Sequence, residues 1–315
     1  MTEVLTFGEA MAALHGAGPL RLGGSMQLSV AGSESNVAIA LARLGHDVEW
    51  IGRVGNDELG QLVLRALRAE GVRLGRPIID DHAPTGALLF EHRIADVTRV
   101  NYYRAGSAGS MIRAADVVDR LTESIAMLHV TGITAALGAS AAEAVSVSVR
   151  RAHDLGIAVS LDINFRSRLC TADAARDALR PLLPHVDLLF ASEEELPIVA
   201  PGAERDVDTT ARRFIDDGTP TVVVKRGGAG ATAYTPDGKV NAPARRVPVV
   251  DVVGAGDAFV AGFLSARLDG LGAPACLERG AVLGAFAVSR IGDWEALPTR
   301  GELSLLDQPS GTTMR

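Results

Sequence analysis

Cysteine is almost missing from this chain: Cys170 and Cys276 are the only two among 315 residues. Two thiols cannot build a disulfide framework, and a zinc site made of cysteine alone is excluded. They read as small buried hydrophobes of a reducing compartment. Basic residues are the minority charge, with a formal net charge of −7, and no long basic run occurs. Nucleic acid is therefore a poor fit as main partner. Long apolar runs are missing as well. Residues 126–136 and 281–288 hold two apolar runs, each too short or too polar to span a bilayer. The start, MTEVLTFGEAM, carries Glu3 and no basic segment, so it does not read as a secretory signal. These absences point to a soluble cytoplasmic protein with neither a membrane nor a nucleic acid as partner. An anionic ligand would have to be met by a few cations placed locally.

Several familiar motifs are missing too. A Walker A loop needs Gly-Lys-Ser/Thr after a glycine loop, and DGKV at 237–240 lacks both the hydroxyl and the upstream glycine. A dinucleotide fingerprint needs a third glycine soon after a first strand, and Gly254-x-Gly256 lies late and is followed by Phe259. No histidine pair stands at metal-ligand spacing on a helix.

What is present is an alternation. Hydrophobic residues make up 47%, enough for a large core. Strand-like runs (EVLTFG, DVEWIGRVG, IAMLHVTG, IAVSLDIN, VDLLFAS, TPTVVVKRG) alternate with helical patterns. SESNVAIALARLG is a helix with Ser33 or Ser35 as cap and Gly45 as stop. DELGQLVLRALRAEG is another, capped by Asp57. Further helices fall around 139–155, 171–182 and 206–217. The pattern predicts an α/β fold, one domain over 1–315, with a mostly parallel sheet covered on both faces. Ligands bind at the carboxyl ends of such strands. Residues 75–104 break the rhythm. ALLFEHRI and TRVNYYR, joined by ADV, form a hairpin candidate, and residues 12–31 can add strands. These segments predict a small accessory sheet that covers a site or pairs with a partner chain.

The stretch DVVGAGDAFVAGF at 251–263 concentrates the chemistry. The valines at 249, 250, 252 and 253 suit an extended segment. Gly254, Ala255 and Gly256 allow close backbone approach. A helix then begins, and its free N–H groups attract an anion. Asp257 is either a cap for that helix or a base beside a bound phosphate.

This stretch resembles the C-terminal signature of the ribokinase (PfkB) family of carbohydrate kinases. AGSESNVAIALARLG at 31–45, followed by IGRVGNDELG at 51–60, resembles the family's N-terminal signature. With two signatures in the right order, and likeness reaching SRIGDWEALP at 289–298, the chain is identified as a member. The resemblance implies a ribokinase-like fold and phosphoryl transfer from ATP, with Mg2+, to a sugar hydroxyl. It implies Asp257 as base, with the N–H groups of Ala255, Gly256 and Asp257 after Gly254 as an anion hole. FASEEELPIV places Ser192 where the family commonly has asparagine, and Glu195 where an acid organises magnesium through water. A helix start, with Ser192 as cap, is the other reading of that stretch. VVVKRGGAGA resembles the nucleotide-binding turn, with Gly227 and Gly230 approaching ATP and Lys225 reaching a phosphate. A plain hairpin turn would also explain its glycines. Gly292, with Arg290 and Ile291, is expected to border adenine. Asp251 matches a position that helps hold a monovalent cation such as K+.

Within the family, NYYRAGSAGS, HVTGITAAL and SLDINFRSRL look most like 2-keto-3-deoxygluconate kinases. That likeness implies substrate contacts from Tyr102, Arg104, Ile133 and Arg166, with Gly32 and Asn36 on sugar hydroxyls. Arginine grips a carboxylate with paired hydrogen bonds, which a neutral sugar does not offer. Leu88 stands where those kinases carry a substrate-facing tyrosine. GSESN places Ser33 and Glu34 near the sugar, with Glu34 expected to face solvent in the helix's first turn. The expected reaction is phosphorylation of 2-keto-3-deoxygluconate at the 6-hydroxyl. A fructokinase-like activity on a neutral sugar and a catalytically silent sugar-binding protein are the alternatives. The lid sheet is expected to make a homodimer or higher homo-oligomer.

Overall fold

The computed structural model describes residues 3–16, 18–94, 97–200 and 206–308. At its centre the compact apolar runs pair into one sheet. From one edge to the other its strands are Gly238–Ala242, Ala231–Thr235, Thr221–Lys225, Leu188–Ser192, Ala158–Asp162, Met127–Thr131, Val4–Phe7, Val48–Ile51 and Arg73–Leu74. All neighbours run parallel except the last two pairings at the Gly238–Ala242 edge, which are antiparallel. Strands such as Val222–Val224 and Leu188–Ala191 are buried throughout, as a sheet covered on both faces requires.

Helices Ser33–Arg43, Glu58–Ala69, Ala255–Leu268 and Ala273–Val288 cover one face, around Trp50, Phe190 and Phe263. Helices Ala139–Asp154, Ala172–Leu179 and Val207–Asp216 cover the other. The two late helices approach closely because glycines face each other. A Cβ on Gly262 would lie 2.5 Å from the Arg279 carbonyl oxygen, and one on Gly280 would lie 2.9 Å from the Phe259 ring. The helix predicted at 171–182 ends at Leu179 and tightens into a 3-10 turn over Arg180–His185. Pro181 and Pro184 remove the donors an α-helix would need there. Asp57 caps its helix as expected, accepting the Gly60 N–H at 2.7 Å. Neither Ser33 nor Ser35 caps the first helix. Gly32 holds that position, and Ser33 is diverted to Asp257.

The accessory sheet is Met26–Ala31, Met11–Gly16, Ala87–Ile94 and Val97–Tyr103, in that order. Its hairpin pairs Leu88 with Tyr102; residues 95 and 96 of the expected ADV connection lie outside the described residues. Ile78–Asp80, expected in this lid, pairs instead with Arg53–Gly55. DVEWIGRVG accordingly forms two short strands rather than one. Cys276 is buried and Cys170 half-buried, both free. Among the described residues no helix is long and apolar enough to cross a membrane.

Candidate active site

The carboxyl ends of the parallel strands and the inner face of the accessory sheet enclose a cavity of about 660 Å³. Its floor is set by Gly254. That residue is left-handed (φ 73°, ψ −8°) and is the N-cap of helix Ala255–Leu268. A Cβ there would lie 2.1 Å from the Asp293 carbonyl oxygen, so both conformation and space require glycine. The first-turn amides that follow have no acceptor within the helix, and Gly256 and Asp257 line the cavity. Ala255 lies behind the wall, its N–H directed to the Val252 carbonyl at 3.4 Å. Residues 249–253 form no strand; the Val250 and Asp251 N–H groups both donate to the Val288 carbonyl.

Asp257 is buried and does not cap its helix. Its carboxylate is instead gripped from three sides. Ser33 Oγ donates to Oδ1 at 2.7 Å, Asn164 Nδ2 donates to Oδ1 at 3.1 Å, and Asn36 Nδ2 donates to Oδ2 at 2.9 Å. The cap reading is therefore replaced: the side chain faces the cavity, and three donors from two segments orient it. Asn36 also donates to Asp293 Oδ2 at 3.2 Å. Burial pushes the Asp293 carboxyl up to about 8, with Asp257, Glu295 and Asp251 adding repulsion and Asn36 opposing.

Lys225 ends its strand beside this floor. Its Nζ donates to both oxygens of Asp162, at 2.8 and 2.7 Å, and lies 3.8 Å from where a Cβ on Gly256 would be. Burial works against the ammonium, but Asp162, Glu195 and Asp257 outweigh it and raise its pKa. Glu195 is half-buried. Its oxygens accept the N–H groups of Phe165 at 2.8 Å and Ser192 at 2.7 Å, tying two strand ends together. Ser192 Oγ accepts the Glu195 N–H at 3.2 Å in return. Burial and Asp162 raise the Glu195 pKa, with Lys225 opposing. The helix expected from Ser192 starts later, as a single turn over Leu196–Val199. Glu193 and Glu194 are exposed.

The cavity brings together the residues expected to contact a sugar: Gly32, Ser33, Asn36, Leu88, Tyr102, Arg104, Ile133 and Arg166. Arg104 is not free: it pairs with Glu9 Oε2, from Nε at 2.7 Å and Nη2 at 2.5 Å. Its guanidinium stands 5.9 Å over the Tyr102 ring. Arg166 is exposed and donates to the neighbouring Phe165 carbonyl at 3.2 Å, and its charge acts through space on Asp162. Glu34 is the clear correction. Expected in solvent, it is 1% exposed and held by Thr131 and Thr134, because the helix start turns it under the strand ends.

Of the residues expected to meet a nucleotide, Ser192, Glu195, Lys225 and Gly227 reach the cavity. Gly230, Gly292 and Asp251 do not line it. Gly230 (φ 101°) closes the turn between two antiparallel strands, where a Cβ would lie 2.1 Å from the Ala242 carbonyl oxygen. The hairpin reading of that turn is therefore met, whatever else it does. Asp251 accepts the N–H groups of Val253 at 3.1 Å and Gly292 at 3.4 Å. Among the described residues no three His, Cys, Asp or Glu side chains cluster to hold a metal.

Sequence reasoning missed Glu9, Asn164 and Asp293, which all line the cavity. Glu9 and Asn164 follow the strands Val4–Phe7 and Ala158–Asp162, so the carboxyl-end rule was signal enough. Asn164 also carries a positive φ of 42°, a conformation asparagine tolerates better than most residues. Nothing local marks Asp293.

Comparison with known proteins agrees with this geometry. Residues 1–300 match the family model described as pfkB family carbohydrate kinase. The chain is 34% identical to a 2-dehydro-3-deoxygluconokinase of Bacillus subtilis, covering 96% of this chain and 94% of that one. It is also 34% identical to a 2-dehydro-3-deoxygalactonokinase of Haloferax volcanii, covering 92% of each. A fructokinase structure with bound ATP from Xylella fastidiosa superposes with a TM-score of 0.86 at 25% identity, over 97% of this chain and 98% of that one.

Proposed function

This chain belongs to the pfkB family of carbohydrate kinases, and on that premise we propose that it transfers the γ-phosphoryl group of ATP to the 6-hydroxyl of 2-keto-3-deoxygluconate. The observation that carries the substrate reading is Arg166, an exposed cation lining the cavity that makes no direct ion pair among the described residues. A sugar carboxylate supplies a direct anionic partner beyond the arginine's through-space pull on Asp162. Arg104 already has Glu9 and serves better to fix Tyr102 against the sugar.

Asp257 takes the proton from the attacking hydroxyl. The amides of Gly256 and Asp257 face the transferred phosphoryl group, and Lys225 stands close enough to leave Asp162 for it. Phosphoryl transfer needs alignment and charge neutralisation more than covalent help, and these are the groups on the floor. The described side chains offer no ready-made metal cage, so magnesium would be held mainly by nucleotide phosphates and water. Glu195, both oxygens already on backbone amides, fits an outer role through water. Magnesium would supply charge neutralisation on the phosphates.

An ADP-release assay across sugar acids and neutral sugars tests the substrate. Turnover with 2-keto-3-deoxygluconate well above its C4 epimer and above fructose is expected; turnover with fructose alone sinks the claim. Arg166→Ala separates the readings further. It should raise KM for the acid by at least about tenfold and leave a neutral sugar's KM unchanged. Fructokinase-like activity stays the second reading, favoured by the ATP-bound fold neighbour.

The outer face of the accessory sheet supports the expected self-association. Leu28 pairs across to Leu14 and Leu14 to Leu89, and Met26, Leu28 and Tyr103 are exposed. Light scattering should give at least a dimer, and a clean monomer contradicts it.

A further inference from the structure

Glu34 sits in the first turn of helix Ser33–Arg43 and lies beneath the cavity rather than in its lining. Its Oε1 accepts the hydroxyls of Thr131 and Thr134, each at 2.6 Å. Gly8 makes the room: a Cβ there would lie 2.4 Å from Glu34 Oε2 and 2.6 Å from Thr134 Oγ1. Thr131 in turn caps the short helix Gly132–Ala135, its Oγ1 accepting the Ile133 N–H at 3.2 Å. A hydroxyl has one proton to give. By accepting it, Glu34 turns a Thr131 lone pair toward the Ile133 amide. The hydrogen bonds then run one way, from Ile133 through Thr131 to Glu34, and Ile133 lines the cavity. On its other side Glu34 is joined to Ser33. Ser33 Oγ receives Asn164 Nδ2 at 2.7 Å and donates to Asp257 Oδ1 at 2.7 Å.

We propose that Glu34 is a positioning residue for phosphoryl transfer, its buried carboxyl joining the segment that orients Asp257 to the segment that walls the sugar. Burying a carboxyl opposes folding, and burial pushes this one up to about 7 against the pull of the two threonines. That cost falls at a junction between base and sugar wall. Either protonation state leaves Oε1 an acceptor, and so does the carbonyl oxygen of glutamine. The side chain's task is to accept two hydroxyl protons in a fixed place.

The proposal rests on the kinase activity and not on which sugar is accepted, so it is tested with the best substrate of the wild-type panel. Glu34→Ala should lower kcat by at least about tenfold and raise the sugar KM, with the ATP KM within about threefold of wild type. Glu34→Gln should restore all three constants to within about threefold, because acceptance is kept. Thr134→Val, close in shape and lacking one donor, should fall between. A melting curve for each variant shows that it is folded at the assay temperature. A folded Glu34→Ala with wild-type constants overturns the proposal, as does a folded Glu34→Gln no better than alanine, or an ATP KM that rises with the sugar KM. If Glu34→Ala does not fold, the Thr131→Val/Thr134→Val pair decides: unchanged kcat and sugar KM sink the idea. A wild-type chain that phosphorylates no sugar overturns the kinase reading and this proposal with it.

Discussion

Asp257 is readable as a base or a cap, and its hydrogen bonds remove the cap. A capping carboxylate accepts amides of its own helix. This one accepts Ser33, Asn36 and Asn164, from two other segments of the chain. Those donors hold it at the cavity floor with a fixed aim. Asparagine keeps the shape but cannot take a proton. Asp257→Asn should therefore lower kcat by at least ~10²–10³, the cost of losing one such group, with ATP binding by calorimetry retained. Equal activity in both forms refutes the base assignment. Glu34 shows the limit of residue-level reading. Its position in a first helical turn suggested solvent, since acids there favour the dipole. Only the fold reveals that this turn is roofed by Thr131 and Thr134.

Elements were legible where period and stop signals agreed. Helices Ala139–Asp154 and Val207–Asp216 fall within a residue of the expected ranges, and Asp57 caps its helix as read. Departures arise where another part of the chain competes. Ser33 leaves its cap for Asp257; residues 249–253, rich in β-branched valine, meet no strand and expose Val249, Val250 and Val252 instead. Ile78–Asp80 chooses Arg53–Gly55 over the lid because pairing depends on which edge is free. Gly254 is a demanding position at a helix start. Gly254→Ala meets both a positive φ, costing about 1–3 kcal/mol, and the Asp293 carbonyl. It should lower kcat at least about tenfold by tilting the first-turn amides, and lower the melting temperature as well. An alanine variant with wild-type kcat would show that the turn does not need glycine.

At the scale of the whole molecule, several carboxyls of the site are packed in one buried region while the chain as a whole is acidic. Asp293 and Glu34 are pushed up to about 8 and about 7 by burial. A folded pKa above the unfolded one gives stability that is full below the ordinary carboxylate range, about pH 4, and drains away as pH rises through the folded value. Asp269 acts oppositely. Arg300 and Arg279 hold it down at about 2 despite partial burial, so its contribution is lost only as pH falls toward that value. Melting temperature should therefore decline as pH rises from about 4 to about 8 and level off above that, and Asp293→Asn should flatten the upper part of that decline by removing the group with the higher folded value. Parallel melting curves for the two proteins would show that Asp293 does not ionise on that range.

The sequence by itself determined the class of fold, because apolar period and glycine or proline punctuation are local and repeat along the chain. It also determined the family, because the two signature stretches are contiguous. The tertiary structure alone decided the partners of the charges. Arg104 pairs with Glu9, 95 positions away, Lys225 with Asp162, 63 positions away, and Glu34 with Thr131, 97 positions away. No local pattern encodes such pairs. Burial makes each charged group find an opposite charge or a donor, and which one lies within reach is set only when the strand ends come together.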